Sequence, residues 1–486
     1  MSPYLIIITL VSYIAVMFLL AYRWGGRADN EGFFIGGRRT TWYMATLAMI
    51  GAAMSGVTFI SVPGSVAADG MSYMQMVIGF TIGQFLLAFW LVPVFYKRGV
   101  VSLYEYLDER FGVQAHRAGA WCFLVAKLIG AALKIYVVCA VMQILVFDYF
   151  NLHFIYNIIL TMLLVWLYTR HGGVRSLIVT DVLQSLCLVV SVVVIIFSLC
   201  NAMGLSAATA IDAIKESQYS QIWQFDDPAS PRYFWKMVAG GVLCLIAMTG
   251  LDQDMMQRNL SCRTMRASQI NIVLTAICQI FVIIMLLAMG VLLYRYVDFA
   301  HLPQPESGDD TFALVAVRGG LPYIAGIMFI IGLISSTYSA AGSALTSLTT
   351  AYTIDIMDGR KRLDEEQLTS LRKRVHAVMA VVMSLLIVGF YYLGEGSVIN
   401  LVFKIAGYTY GPILGMFVFG LLSKREVKGK YIPLVAVISP LASYALQWVV
   451  AEQFHYFIGF ELLGYNALFT IFGLFIISKK KRNETK

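Results

Sequence analysis

The chain has 486 residues, of which 59% are hydrophobic and only 13% charged, and its mean hydropathy is +0.75. A soluble globular chain carries about 25% charged residues, so a soluble fold is excluded. Apolar runs of 18 or more residues recur throughout, each long enough to cross the membrane as a helix, and the ~10-residue alternation of a β-barrel is absent.

The first apolar stretch, YLIIITLVSYIAVMFLLAY, has no basic residue ahead of it. A cleavable signal peptide needs a positive flank, so a retained span is expected over 3–22. Further spans are predicted over 42–68, 74–96, 118–147, 153–169, 176–200, 234–256, 269–294, 321–354, 375–394, 397–422, 431–450 and 456–477, thirteen in all. The loop 201–233 contains AATAIDAIKESQYSQIWQ, whose partly helical apolar period predicts an amphipathic surface helix. The loop 295–320 holds PQPESGDD and is expected to be flexible. No fixed-period repeat is visible. The seven cysteines fall mostly in apolar runs without a CxxC pair and suit packing better than disulfides or metal.

Basic residues set the orientation. The loops 22–41, 97–117, 169–175, 257–267, 355–374, 423–430 and 478–486 hold 28 of the 36 Lys and Arg residues. The opposite loops hold Lys215, Arg232, Arg295 and Arg318, and four lysines lie within or at the edge of spans. The N-terminus is therefore expected outside and the C-terminus in the cytoplasm. The net charge of +8 reflects this topology, and KKKR at 479–482 is expected to anchor on an anionic leaflet, not to bind nucleic acid.

No GxxxxGK[ST] phosphate loop, HExxH pair or GxSxG elbow is present, and the six histidines are scattered. The chain is not expected to be an enzyme, and a transporter without an ATPase must run on an ion gradient.

Several polar features sit inside the spans. Gly51, Ala52, Ala53, Met54, Ser55 and Gly56, followed by Pro63, weaken the helix at 42–68. Carbonyls freed there suit a cation, although small residues serve close helix packing equally well. In ISSTYSAAGSALTS, residues 334–347, seven of fourteen residues are Ser or Thr. At 100° per residue Gly332, Ser335, Ser336, Ser339 and Ser343 share an arc of ~100°, while Tyr338 points elsewhere. Such hydroxyls are either hard ligands for a Na⁺-like cation or interhelical glue. Asp181 marks either an ion path or an interfacial cap or salt bridge to an arginine such as Arg175. Lys127 and Lys134, seven residues apart, share a face; each must meet a carboxylate, a carbonyl, water or an anionic substrate, unless Lys127 snorkels. Asp252, Gln253, Asp254 and Arg258 form either a gate network or an interfacial charge cluster.

Together, EGFFIGGRRTTWY, SLYEYLDERFG, TDVLQ, DQDMMQRNL, ISSTYSAAGSALTS and KIAGYTYGPILGMFVFGLLSKR, in this order over about 30–425, resemble the sodium–solute symporter family. The resemblance implies an all-α polytopic fold of two inverted five-helix repeats plus flanking helices. The divisions become 1–41 (first flanking span and cytoplasmic loop), 42–200 (first repeat), 201–233 (extracellular loop), 234–422 (second repeat) and 423–486 (two spans and a basic cytoplasmic tail). It implies a sodium site from carbonyls of Gly51, Met54 and Gly332 and hydroxyls of Ser335 and Ser336. A second sodium site, found in some members, matches Asp181 and Ser339, but Tyr338 stands where such members can carry a small hydroxyl residue. Ser55 and Thr58 match substrate-contacting positions. The sialic-acid branch has an arginine where this chain has Gly130, with Lys134 one turn on as its replacement. The glutamine and lysine of the sugar branch are absent.

The implied function is Na⁺-driven symport of a small organic solute across the plasma membrane by alternating access. Na⁺ is the coupling ion, no organic cofactor is expected, and the partners are the solute and the bilayer, with no obligatory protein partner. The alternatives are a solute-binding membrane sensor, an ion channel, and a proton-coupled symporter with Asp181 as carrier.

Overall fold

Long apolar runs must satisfy their own backbone groups in hydrocarbon, and here they do so as helices. The computed structural model describes residues 2–25, 29–35, 40–98, 104–170, 172–303, 308–393 and 398–479. Parts of three predicted features, 36–39 and 102–103 in the family motifs and 304–307 in the PQPESGDD loop, lie outside the described residues, as does the basic tail from 480.

Helix α1 is Pro3–Leu20, α2 the short Asn30–Ile35, α3 Trp42–Ala53, α4 Gly56–Gly64 and α5 the single turn Val66–Asp69. Then come α6 (Tyr73–Leu86), α7 (Val92–Arg98), α8 (Glu105–Phe111), α9 (Val113–Met142), α10 (Phe154–Thr169) and α11 (Gly173–Ala202). The loop after α11 carries α12 (Ala207–Lys215), started by Ser206, whose hydroxyl accepts from Thr209 N; this is the amphipathic surface helix expected there. The second half holds α13 (Phe234–Leu245), α14 (Gln253–Leu260), α15 (Met265–Phe299), α16 (Gly308–Arg318), α17 (Tyr323–Thr350), α18 (Gly359–Arg362), α19 (Glu365–Leu393) and α20 (Val398–Leu422). Helices α21 (Ile432–Phe454) and α22 (Leu462–Ile476) close the chain. A two-residue ribbon pairs β1 (Glu426–Val427) antiparallel with β2 (Ser478–Lys479).

Among the described residues nine helical segments are long and apolar enough to span a bilayer, and two bent pairs bring the number to eleven. Helices α10 and α22, with 16 and 15 residues, fall short of the roughly 20 that a span needs. The expected thirteen is therefore not reached by length.

The bent pairs decide the architecture. The chain turns by 58° between α3 and α4, and by 66° between Phe234–Gly250 and α14. The first break falls in the helix expected to be weakened; the second falls in 234–256, which was read only as a span. Pro63 does not break the chain but sits inside α4, which ends one residue later.

Small residues bring the helices close. A Cβ on Gly79 of α6 would stand 2.2 Å from Val238 O of α13, and one on Gly241 2.4 Å from Met76 O. Gly64 and Gly308 make the same contact between α4 and α16, each added Cβ lying 2.4 Å from the other's carbonyl oxygen. Tyr294 of α15 donates to Gly64 O at 2.7 Å. The second half of the broken helix, α4, is thereby pinned to α15 and α16. Phe59, Phe312 and Phe329, all fully buried, fill the space between α4, α16 and α17.

Candidate functional site

Helix α3 stops because Met54 adopts φ −92° and ψ 81°, outside the helical region. Its backbone ladder ends at Met54 N→Ile50 O (2.9 Å) and that of α4 starts at Phe59 N→Ser55 O (3.0 Å). The carbonyls of 51–54 fall in the gap. Glycine is required on both sides: a Cβ on Gly51 would lie 2.5 Å from Ser185 Oγ, and one on Gly56 2.7 Å from Thr337 Oγ1. The break is clamped between α11 and α17, where hydrocarbon cannot reach it.

Helix α17 brings its hydroxyls to this place. At Gly332 an added Cβ would meet the Phe59 ring at 2.6 Å and Ser191 Cβ at 3.0 Å. Ser336 lies beside the break, 3.6 Å from the position of a Gly56 Cβ, and donates to Gly332 O (2.9 Å) and Leu333 O (3.0 Å) of its own helix. Ser335 Oγ and Ser191 Oγ are buried without a hydrogen-bond partner. The neighbours of Ser335 are Tyr13 of α1 and Cys187 of α11, so it stands on the flank of the break. Tyr338 turns away to α10, its ring 6.2 Å from that of Tyr168.

A cavity of about 110 Å³ adjoins the break, lined by Ser55, Thr58, Lys134, Thr275, Gln279 and Phe403 among others. Gln84 Nε2 donates to Gln279 Oε1 at 2.8 Å across it. Lys134 also lines a second cavity of about 60 Å³ on the side of the basic loops. It makes no ion pair among the described residues. On the opposite side, Tyr73 and Phe403 separate the central cavity from a vestibule of about 280 Å³, bordered by Asp69 and Arg232, which form a salt bridge.

Below the smaller cavity the scattered charges form one chain. Lys127 Nζ donates to Asp252 Oδ2 (3.1 Å) and Asp254 Oδ2 (2.7 Å). Arg258 donates to the carboxylate of Asp254 and, through Nε and Nη2, to Asp181 Oδ2 at 3.0 and 2.9 Å. Ser339 Oγ donates to Asp181 Oδ1 at 2.6 Å, and Tyr410 OH to Asp252 Oδ2 at 2.6 Å. All but Lys127 are 5% exposed or less. The bend before α14 makes this possible: Asp252 caps the helix, accepting from Asp254 N (2.9 Å) and Met255 N (3.3 Å), which turns both carboxylates inward.

Among the expected site residues, Gly51 and Met54 lie at the break with Ser336 beside it; Gly332, one turn before Ser336, packs against Phe59 and Ser191, and Ser335 stands on the flank. Ser55, Thr58 and Lys134 line the adjoining cavity, and Asp181 with Ser339 belongs to the charge chain. Asp181 pairs with Arg258; the side chain of Arg175 lies outside the described residues. A network of Asp252, Asp254 and Arg258 was one of the two readings open from the sequence; that Lys127, Asp181 and Tyr410 join it was missed. Its signal was the Asp252 cap position after Gly250 and the surplus of unpaired intramembrane charge.

A bundle with two broken helices, mid-span hydroxyls at one break and a buried ion-pair chain at the other has the architecture of a secondary transporter. A profile of the sodium:solute symporter family matches residues 33–429, and the chain belongs to that family. It is 25% identical to the human sodium/iodide cotransporter over 404 residues, 82% of this chain and 62% of that protein. Sodium-coupled monocarboxylate transporter 2 of Danio rerio is 25% identical over 425 residues (85% and 66%). The sodium-dependent multivitamin transporter of Oryctolagus cuniculus is 26% identical over 434 residues (85% and 66%). The chain spans slightly under two thirds of the length of these relatives. In fold it resembles a Na⁺-coupled sialic acid symporter solved in a substrate-bound outward-open state, with a TM-score of 0.81 at 20% identity over 98% of this chain and 99% of that one. A nucleobase-cation-symport-1 transporter in a closed conformation shares the fold at a TM-score of 0.59 and 12% identity over 92% and 95%.

Proposed function

We propose that the protein couples the inward movement of Na⁺ to uptake of a small organic anion by alternating access across the plasma membrane, with its basic loops in the cytoplasm. The observation that carries this is the junction of the α3–α4 break with α17, where the Ser336 hydroxyl lies beside Gly56, next to a cavity lined by Lys134, which makes no ion pair among the described residues. Hard oxygen donors suit Na⁺. Gly51, Met54, Gly332, Ser335 and Ser336 form the proposed sodium site, and Ser55, Thr58 and Lys134 the proposed substrate site. Iodide, monocarboxylates and sialic acid, carried in the names of the similar proteins, are anions, and Lys134 supplies the complementary charge.

Sodium at the break holds α3, α4 and α17 together, which shapes the cavity for the anion and shuts the charge chain behind it. Ion and substrate then favour the same state, which coupling requires. At about −100 mV each Na⁺ moving inward gains ~2.3 kcal/mol from the potential alone. Asp181 is held by Arg258 and Ser339, so a second ion there competes with the arginine.

The test is uptake of labelled organic anions into proteoliposomes under a sodium or a proton gradient imposed separately. Sodium alone should drive accumulation, and Lys134→Gln should raise the KM about tenfold or more while sodium dependence persists, one charged hydrogen bond being worth ~1.5–3 kcal/mol. Accumulation driven by the proton gradient alone would refute sodium coupling. An unchanged KM would remove Lys134 from the substrate site.

A further inference from the structure

One polar cavity plays no part in this cycle. It measures about 270 Å³, lies at the basic end of the bundle where α2, α10 and α19 meet, and is lined by Phe33, Trp166, Arg170, Arg372, Lys373 and His376. Arg372 is only 4% exposed, yet its Nε and Nη1 have no hydrogen-bond partner. Its guanidinium lies flat over the Phe33 ring, 4.3 Å from the centroid, which fixes its position without using its donors. Trp166 Nε1 is another buried donor without a partner. Arg170 lies over the Trp166 ring at 5.0 Å, and Lys373 is exposed at the rim.

The groups around Arg372 leave its donors unanswered. Both ring nitrogens of His376 are taken, by Thr169 and Thr349 at 2.9 Å each. The acids closest in its field are Asp29 and Glu365. Asp29 Oδ1 accepts from Gly32 N at 2.7 Å, and the Glu365 carboxylate from Asn30 Nδ2. Three cationic side chains therefore surround one space into which three unpaired N–H groups, two of Arg372 and one of Trp166, bring donors without an acceptor. Burying charged donors in that way is costly unless an anion fills the space.

The surroundings identify the anion's carrier. Helices α10 and α19 pack together, and each leads away from the cavity with an exposed apolar row: Ile159, Leu160 and Leu163 on one, Val378, Val381 and Leu385 on the other. We propose that the cavity binds the phosphate of an anionic phospholipid, whose acyl chains lie along these rows. Phosphate oxygens accept from Arg372 and Trp166, and Arg170 and Lys373 add charge that a zwitterionic headgroup would partly cancel.

Delipidated protein in detergent, titrated by native mass spectrometry with phosphatidylglycerol, phosphatidylcholine or soluble glycerol phosphate, tests this. Phosphatidylglycerol should bind about tenfold tighter than phosphatidylcholine, and Arg372→Gln should erase the difference. Trp166→Phe keeps the ring, removes one donor, and should weaken phosphatidylglycerol about threefold; it decides the matter if the arginine variant does not fold. Lipid-free melting curves report folding of each variant. Wild-type preference in every folded variant would overturn the proposal. Glycerol phosphate binding as tightly as the lipid would also overturn it, by assigning the site to a soluble phosphate ester.

Discussion

Arg258→Gln removes the side chain that, alone among the described residues, pairs with both Asp181 and Asp254. Arg258 is 2% exposed and makes two hydrogen bonds to Asp181 as well as its contacts with Asp254. Breaking a buried pair by deleting one partner costs ~3–5 kcal/mol, because the remaining charge is stranded. Here the lower figure applies: Asp254 keeps Lys127 at 2.7 Å and Asp181 keeps Ser339 at 2.6 Å. The network holds two cations, Lys127 and Arg258, and three carboxylates, Asp181, Asp252 and Asp254. Without Arg258 its charge falls from −1 to −2, and Asp181 becomes a vacant cation ligand. A sodium ion at 100 times its Kd would return ~2.7 kcal/mol, most of the loss. Melting is measured in sodium chloride and in choline chloride at equal ionic strength. The variant should melt well below wild type in choline and recover most of the difference in sodium. Adding Asp181→Asn should restore stability without sodium, since the stranded charge is gone. A variant that melts like wild type in choline, or gains no more from sodium than wild type does, refutes this account of Asp181.

Other outcomes follow from the same geometry. Ser336→Ala should raise the sodium concentration for half-maximal uptake about tenfold, one ligand's worth of ~1.4 kcal/mol, with little change in maximal uptake at saturating sodium. Gly64→Ala places a Cβ 2.4 Å from Gly308 O; overpacking of this kind costs ~1–3 kcal/mol, visible as a lower melting temperature, and Gly308→Ala should do the same. Asp309, at the start of α16, is pushed above the usual carboxylate range by burial. An acid raised in the folded state stabilises most when protonated, so that contribution falls as pH rises through its folded pKa. Asp309→Asn should flatten the decline in melting temperature above pH 4, and an identical decline would exclude Asp309 as its source.

What could be read from the sequence follows from how local each feature is. The first break was legible because Gly51, Ala52, Ala53 and Gly56 lie together and weaken one helix. The Ser336–Gly332 face was legible from helical period. Ser335, one residue away, falls on the flank because the rotation of α17 is set by Phe59 and Ser191, which are distant in sequence. The second break was hidden: the sequence leaves Asp252 open between a gate network and an interfacial charge cluster, and only the fold shows it as a helix cap inside the bundle. The partners of Lys127 and Asp181 could not be read, because they come from α14, brought across by that bend. The cavity around Arg372 was equally invisible, since α2, α10 and α19 contribute to it from three separate stretches.

The charge chain also sets a kinetic asymmetry. Lys127 and Asp181 come from the segment 42–200, and Asp252, Asp254 and Arg258 from 234–422, so three of its four ion pairs cross between the two. Parting the segments on that side must hydrate all three at once. On the vestibule side, Asp69 of 42–200 pairs with Arg232 of the 201–233 loop, 41% exposed and already reached by water, and among the described residues no ion pair there joins the two segments. The two gates should therefore open at very different rates. In the proposed inward cycle, opening past Lys127 and Arg258 is the slow step, and turnover is paced by the release of cargo and not by its capture.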